Sequence, residues 1–208
     1  MEEGCGYETK GEPIVNNTVK TINEVTVASL TEYFSRLDEL VPAETVLYLY
    51  GGAAVIMYGA TIRTTLDIDI AAPYSRINPA RFAEWSAMAG IPVNPPVLND
   101  GISVEFVQAN RLSLPVPRNE ANDSVAVFTG RNLTVLAASP ADIIASKLVR
   151  YNEHDQQDAQ YLIVAGRVSY AAICEAVSRL PPLFREDELV RENLENLKSD
   201  MEIWGIGA

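Results

Sequence analysis

Apolar positions change their spacing several times along this chain, and each change predicts an element. From Asn23 to Leu40, Val27, Leu30, Phe34 and Leu37 recur near helical spacing, and Pro42 ends the segment. Val46 to Tyr50 is a short apolar run with the composition of a strand, closed by Gly51 and Gly52. Ala53 to Tyr58 predicts a short helix with Gly59 as its stop. Leu66 to Ala71 alternates: Leu66, Ile68 and Ile70 take one face of a strand, Asp67 and Asp69 the other. Asn78 to Ala89 predicts a helix with Asn78 as cap and Pro79 at its first position. Ile102 to Val107 is a third strand, with Ile102, Val104 and Phe106 opposite Ser103, Glu105 and Val107. Residues 125–128 and 133–136 flank Thr129-Gly130-Arg131-Asn132, a hairpin pattern.

After Ala138 only helical patterns follow. Ser139-Pro140-Ala141-Asp142 is a helix start whose helix runs to about Tyr151, with further helices near 154–165, 169–179 and 185–199. Strands alternating with helices, then helices alone, give an α/β (α+β) class. The division read from this is a loose polar tail over 1–20, an α/β core over 21–138 and a helical C-terminal subdomain over 139–208.

The chain has 208 residues, 48% of them hydrophobic and 21% charged, enough for a sizeable core and against global disorder. Its net charge of −12 argues against a broad basic surface for duplex DNA, since that affinity comes from Lys and Arg. Cys5 and Cys174 stand far apart in unlike contexts, which predicts no disulfide framework and a reducing, cytoplasmic setting. No run approaches the ~20 apolar residues of a membrane span. The acidic N-terminus, Met1-Glu2-Glu3-Gly4-Cys5, has no signal-peptide pattern. His154 is the only histidine, so a His-rich metal site is excluded, and its polar helix-start context makes it a surface residue.

The chemistry concentrates at Gly51-Gly52 and at Asp67-Ile68-Asp69. Acids two apart on a strand share a face about 7 Å apart and can converge on one divalent cation. Alternatively they sit on a solvated strand face, which is the commoner fate of carboxylates. The glycine pair is either a tight turn or a strand-to-helix turn that offers backbone N–H groups to phosphate. Glu105 becomes a third carboxylate if its strand pairs with that of Asp67 and Asp69. It would then ligate a second metal or accept a proton from an attacking hydroxyl. Arg63 and Thr65 precede the acids, and Arg63 either grips a phosphate or pairs with an acid. Lys147, Asp155 and Asp158 form a second group. Asp155 and Asp158 share a helix face, and a lysine packed on them is either a structural ion pair or a phosphate contact.

Gly51-Gly52, then Arg63, Thr65, Asp67 and Asp69, then Lys147, then Asp155 and Asp158 form an ordered set across residues 46–162. This set resembles the nucleotidyltransferase superfamily, of polymerase-beta-like fold, and within it the branch of AbiEii-type toxins and their uncharacterised bacterial relatives. The branch pattern is a glycine pair, Arg-x-[Ser/Thr]-x-Asp-x-Asp, and later a lysine followed by Asp-x-x-Asp. The resemblance implies a mixed sheet flanked by helices with a helical C-terminal part. It implies Asp67 and Asp69 as ligands of Mg (or Mn), Gly51-Gly52 as the triphosphate site, Lys147 as a nucleotide contact and Asp158 as a helper. The catalytic set is then Asp67, Asp69, Glu105, Lys147 and Asp158, and the nucleotide-binding set Gly51, Gly52, Arg63, Thr65 and Lys147. The implied activity moves a nucleotidyl group from an NTP to an RNA, protein or small-molecule acceptor, with a cognate antitoxin as a further partner. Two positions depart from the pattern: Ala53 stands where many members have Ser or Thr, and His154 where an arginine often stands. Ala53 motivates the alternative of an inactive module of the same fold that binds nucleotide or a partner protein.

Overall fold

The computed structural model describes residues 24–96, 101–118 and 124–206. The tail expected over 1–20 lies outside them. Helix α1 (Val27–Leu40) opens where Thr26 and Ser29 exchange hydrogen bonds: Ser29 N–H donates to Thr26 Oγ1 at 3.1 Å and Thr26 N–H to Ser29 Oγ at 2.8 Å. This reciprocal cap starts the helix later than the apolar spacing predicts. Val27, read as part of the apolar stripe, is 43% exposed, and Tyr33 joins Leu30, Phe34 and Leu37 in the core instead. A buried tyrosine needs a partner for its hydroxyl, and Tyr33 finds it in Ser86 at 2.7 Å.

Strand β1 (Thr45–Tyr50) runs directly into helix α2 (Gly51–Met57), which starts at the first glycine rather than at Ala53. Gly59 ends it with φ +102°. Strand β2 (Asp67–Ala71) follows, then helix α3 (Pro79–Met88) with Asn78 accepting from Arg81 N–H at 3.1 Å, then β3 (Ser103–Val107). The hairpin is β4 (Ser124–Thr129) and β5 (Leu133–Ala138). Its turn is held from outside: Asp38 of α1 accepts from the N–H groups of Arg131, Asn132 and Leu133 at 2.9, 2.7 and 2.7 Å.

The five strands form one mixed sheet in the order β3-β2-β1-β5-β4. β1 lies parallel to β5 and antiparallel to β2. β2 and β3 are parallel, and β4 and β5 antiparallel. Every residue of β1, at the centre, is buried. That burial on both faces explains its unbroken apolar run.

Helices then cover one end: α4 (Pro140–Lys147), α5 (Glu153–Gly166), α6 (Tyr170–Ser178), α7 (Pro182–Arg185) and α8 (Glu188–Ile203). The expected Ser139 cap is present, accepting from Asp142 N–H at 3.1 Å. The helix predicted over 185–199 is divided, because Asp187 caps a new start and accepts from Leu189 N–H at 3.0 Å. One hydrophobic cluster joins the sheet to these helices through Leu49, Ile143, Leu162, Ile173 and Leu197. Among the described residues, no single helix is long and apolar enough to cross a membrane.

Candidate active site

The register of the sheet builds one wall of a cleft. Asp69 pairs with Tyr50 across β1–β2 and with Glu105 across β2–β3, while Asp67 lies level with Ser103. Neighbouring strands stand about 4.8 Å apart, so Glu105 is adjacent to Asp69 on the same face. The third carboxylate is therefore where strand pairing was expected to put it. The opposite face behaves as alternation requires, with Ile68 and Ile70 buried. Leu66 does not: it lies outside β2 and is 50% exposed, because the strand begins only at Asp67.

The glycine pair makes room for these acids. Gly51 has φ +64°, and a Cβ there would collide with the Asp69 carboxylate. A Cβ on Gly52 would stand 3.2 Å from Arg63 Nη2 and 3.3 Å from Thr65 Oγ1. Each glycine thus lets α2 approach β2 and the segment before it. Thr65 itself accepts from Asp67 N–H at 3.3 Å and fixes the start of the strand.

The opposite wall is cationic. Lys147, at the end of α4, places Nζ 2.6 Å from Asp158 Oδ2 and 3.3 Å from Asp155 Oδ1. Arg63 Nε lies 2.9 Å from Asp158 Oδ1, and Arg150 Nε 2.8 Å from Asp155 Oδ2. Two buried acids on α5 thereby align three cations from three segments. Asp155 is held below the usual carboxylate range. Burial pushes it up, but the Arg150 hydrogen bond and the Lys147 charge outweigh burial. The cleft between the walls has a volume of about 460 Å³ and is lined by Gly51, Gly52, Arg63, Thr65, Asp67, Asp69, Glu105 and Lys147, together with Asp155 and Arg150.

All the sequence-derived site residues except Asp158 face this cleft. Asp158 lies behind it, 2% exposed, between Arg63 and Lys147. Its carboxylate is bonded to both of those cations. Arg63 pairs with an acid, one of the two things the sequence allowed, and also lines the cleft. His154 is exposed, as expected. Arg150, Tyr50 and Ser146 also line the cleft, and sequence reading missed them. The available signal for Arg150 was the gap left by His154: an arginine in the turn before α5 can reach an acid in its first turn.

Asp67, Asp69 and Glu105 make no ion pair and no side-chain hydrogen bond to another described residue. Asp69 is pushed up to about 7, first by burial and then by the charges of Glu105 and Asp67, against weaker opposition from Lys147 and Arg150. Such crowded carboxylates are costly without a cation. Among the described residues, no group of three or more His, Cys, Asp or Glu is arranged to hold a metal unaided. Mg takes oxygen ligands and is commonly held by one or two carboxylates plus substrate phosphates. The Asp67–Asp69 pair, facing a cationic wall, suits that mode.

A mixed sheet with paired acids on an interior strand, facing basic residues across a cleft, is a nucleotidyltransferase-like α+β arrangement. Residues 28–180 match the model of a family described as "Nucleotidyltransferase of unknown function (DUF6036)". The match covers most of the chain, and the chain belongs to that family. The comparisons with curated proteins and with solved structures gave no match. The family supports the superfamily reading and does not distinguish the AbiEii-type branch.

Proposed function

We propose that the protein is a divalent-metal-dependent nucleotidyltransferase acting on an NTP at this cleft. The observation that carries the reading is the pairing of unneutralised carboxylates on β2 and β3 with a facing set of cations, Arg63, Lys147 and Arg150, held by two acids of α5. Asp67 and Asp69 would hold Mg or Mn. When bound, that ion supplies charge neutralisation at the triphosphate and orients it for in-line attack. Arg63 and Lys147 bind phosphate oxygens, and Gly51-Gly52 lets the triphosphate lie against the backbone. Glu105, beside Asp69 and without a protein partner among the described residues, accepts the proton of the attacking hydroxyl. Asp158 keeps Arg63 and Lys147 aimed into the cleft.

Asp67→Ala tests this directly. Nucleotide transfer is lost while the circular dichroism spectrum stays native and the thermal melt stays cooperative. Transfer retained in that variant sinks the assignment.

The inactive-module alternative rested on Ala53. That residue is fully buried and does not line the cleft, so the missing hydroxyl takes nothing from the cleft wall. The toxin reading remains part of the proposal through the resemblance alone. Under it, expression arrests growth, Asp69→Ala relieves the arrest, and a cognate antitoxin restores growth. An arrest that survives Asp69→Ala counts against a catalytic toxin.

A further inference from the structure

Arg150 is tied down more firmly than an exposed arginine needs to be. Its side chain is 70% exposed, a setting in which a single ion pair contributes at most about 1 kcal/mol and the side chain ordinarily samples many rotamers. Here the guanidinium is bound twice. Nε donates to Asp155 Oδ2 at 2.8 Å and Nη2 to Asp155 Oδ1 at 2.9 Å. Asp155 is 1% exposed and fixed in turn, accepting from Asn152 N–H at 3.2 Å and from Lys147 Nζ at 3.3 Å.

The backbone that presents Arg150 is also held. Tyr151 takes the left-handed conformation, φ +49°, between α4 and α5. Its hydroxyl donates to Asp200 Oδ2 at 2.8 Å, and Asn193 Nδ2 donates to Leu148 O at 2.8 Å. Both anchors come from α8. The C-terminal helix thus fixes the turn that carries Arg150 and adjoins Lys147.

Two of the five N–H groups of the guanidinium are used on Asp155, which leaves three for another acceptor, and Arg150 lines the cleft. A planar fork held in this way is pre-organised for phosphate oxygens. Arg150 also acts electrostatically on Asp69 across the cleft: each shifts the other's proton affinity toward its charged form.

We propose that Arg150 is a phosphate-binding residue that, with Lys147, holds the pyrophosphate leaving group, an assignment that rests on the nucleotidyltransferase reading. In the transfer, the acceptor oxygen bonds to the α-phosphorus and its proton passes to Glu105. The bond from the α-phosphorus to the bridging oxygen breaks, and its electron pair departs on pyrophosphate. Lys147 is buried and Arg150 exposed, so the two meet that anion at the floor and at the rim.

The test is calorimetric titration of the full-length protein with inorganic tripolyphosphate, pyrophosphate and the four NTPs, in Mg. Wild type, Arg150→Ala, Arg150→Lys and the remote control Arg131→Ala are compared, each with a thermal melt. Arg150→Ala weakens tripolyphosphate and pyrophosphate about 10- to 100-fold, as expected for lost hydrogen bonds to a charged group. Arg150→Lys falls between, because it keeps charge without the fork, and Arg131→Ala matches wild type. Unchanged polyphosphate affinity in Arg150→Ala overturns the assignment, as does a lower melting temperature with unchanged affinity, which marks a purely structural pair. Should Arg150→Ala not fold, Arg150→Lys decides by the same comparison. Wild type that binds neither an NTP nor tripolyphosphate overturns the nucleotidyltransferase reading itself, a result distinct from failure of Arg150 alone.

Discussion

Asp69→Asn should make the metal-free protein more stable, by an amount that is nil near pH 4, grows as pH rises and is complete above about 7. The Asp69 carboxyl lies between Glu105 and Asp67 and against Gly51, with its pKa raised from 3.8 to about 7. A raised carboxyl binds its proton more tightly in the folded state than in the unfolded one. Below pH 3.8 both states hold the proton, and the group contributes nothing. Between 3.8 and about 7 the folded state alone retains it, and stability falls as pH rises. Above about 7 the full penalty of a half-buried, crowded charge is present. A tenfold difference in proton affinity between the two states corresponds to about 1.4 kcal/mol, so the penalty reaches on the order of 4 kcal/mol. Asn keeps the shape and removes the charge. In chelator, urea unfolding of wild type and variant should coincide near pH 4 and diverge by about 4 kcal/mol at pH 8. At roughly 2–4 °C per kcal/mol for a chain of this size, the melting temperature rises by about 8–16 °C. Added Mg should raise the stability of wild type at pH 8 and leave Asp69→Asn nearly unmoved. A stability difference that does not change between pH 4 and 8 refutes the reasoning.

Other perturbations separate the parts of the site. Gly51→Ala places a Cβ against Asp69 and a non-glycine residue at φ +64°. It should cost about 1–2 kcal/mol in urea unfolding and abolish transfer. Asp158→Ala strips the buried partner from Arg63 and Lys147. It should destabilise by about 3–5 kcal/mol and raise KM for NTP, whereas Asp158→Asn should recover part of the stability. Asp38→Ala removes the acceptor for three N–H groups at the β4–β5 turn and should cost about 2 kcal/mol with transfer rates unchanged. The Asp38 carboxyl is lowered: burial pushes it up, but three backbone donors and Arg131 prevail. Its contribution should therefore be present above the unfolded-state value and fade as pH falls through the lowered one.

Much of this site was legible because its residues lie on regular elements. Period-two alternation put Asp67 and Asp69 on one face, and a local cap put the start of α4 at Ser139. The pairing of β2 with β3 is not local, so the sequence could offer Glu105 only conditionally. The glycine pair was read for phosphate, but the collision of a Gly51 Cβ with Asp69 depends on how closely α2 approaches β2. The placement of Asp158 was likewise hidden: a spacing of three shows a helix face shared with Asp155, but not that Asp155 lines the cleft while Asp158 does not. Arg150 was missed because the turn carrying it follows from Tyr151 in a left-handed conformation and from anchors on α8. Val27 and Leu66 show the usual failure at element ends, where capping decides and periodicity does not.

The most direct measurement is transfer by the purified protein. Four labelled NTPs are offered with Mg or Mn, and total RNA and total protein serve as acceptors. The double variant Asp67→Ala/Asp69→Ala is the control. A nucleotidyltransferase using these acids gives metal-dependent label incorporation by wild type, from at least one NTP, that the double variant lacks. Equal incorporation by the variant, or none by wild type with any NTP and either acceptor, contradicts that assignment.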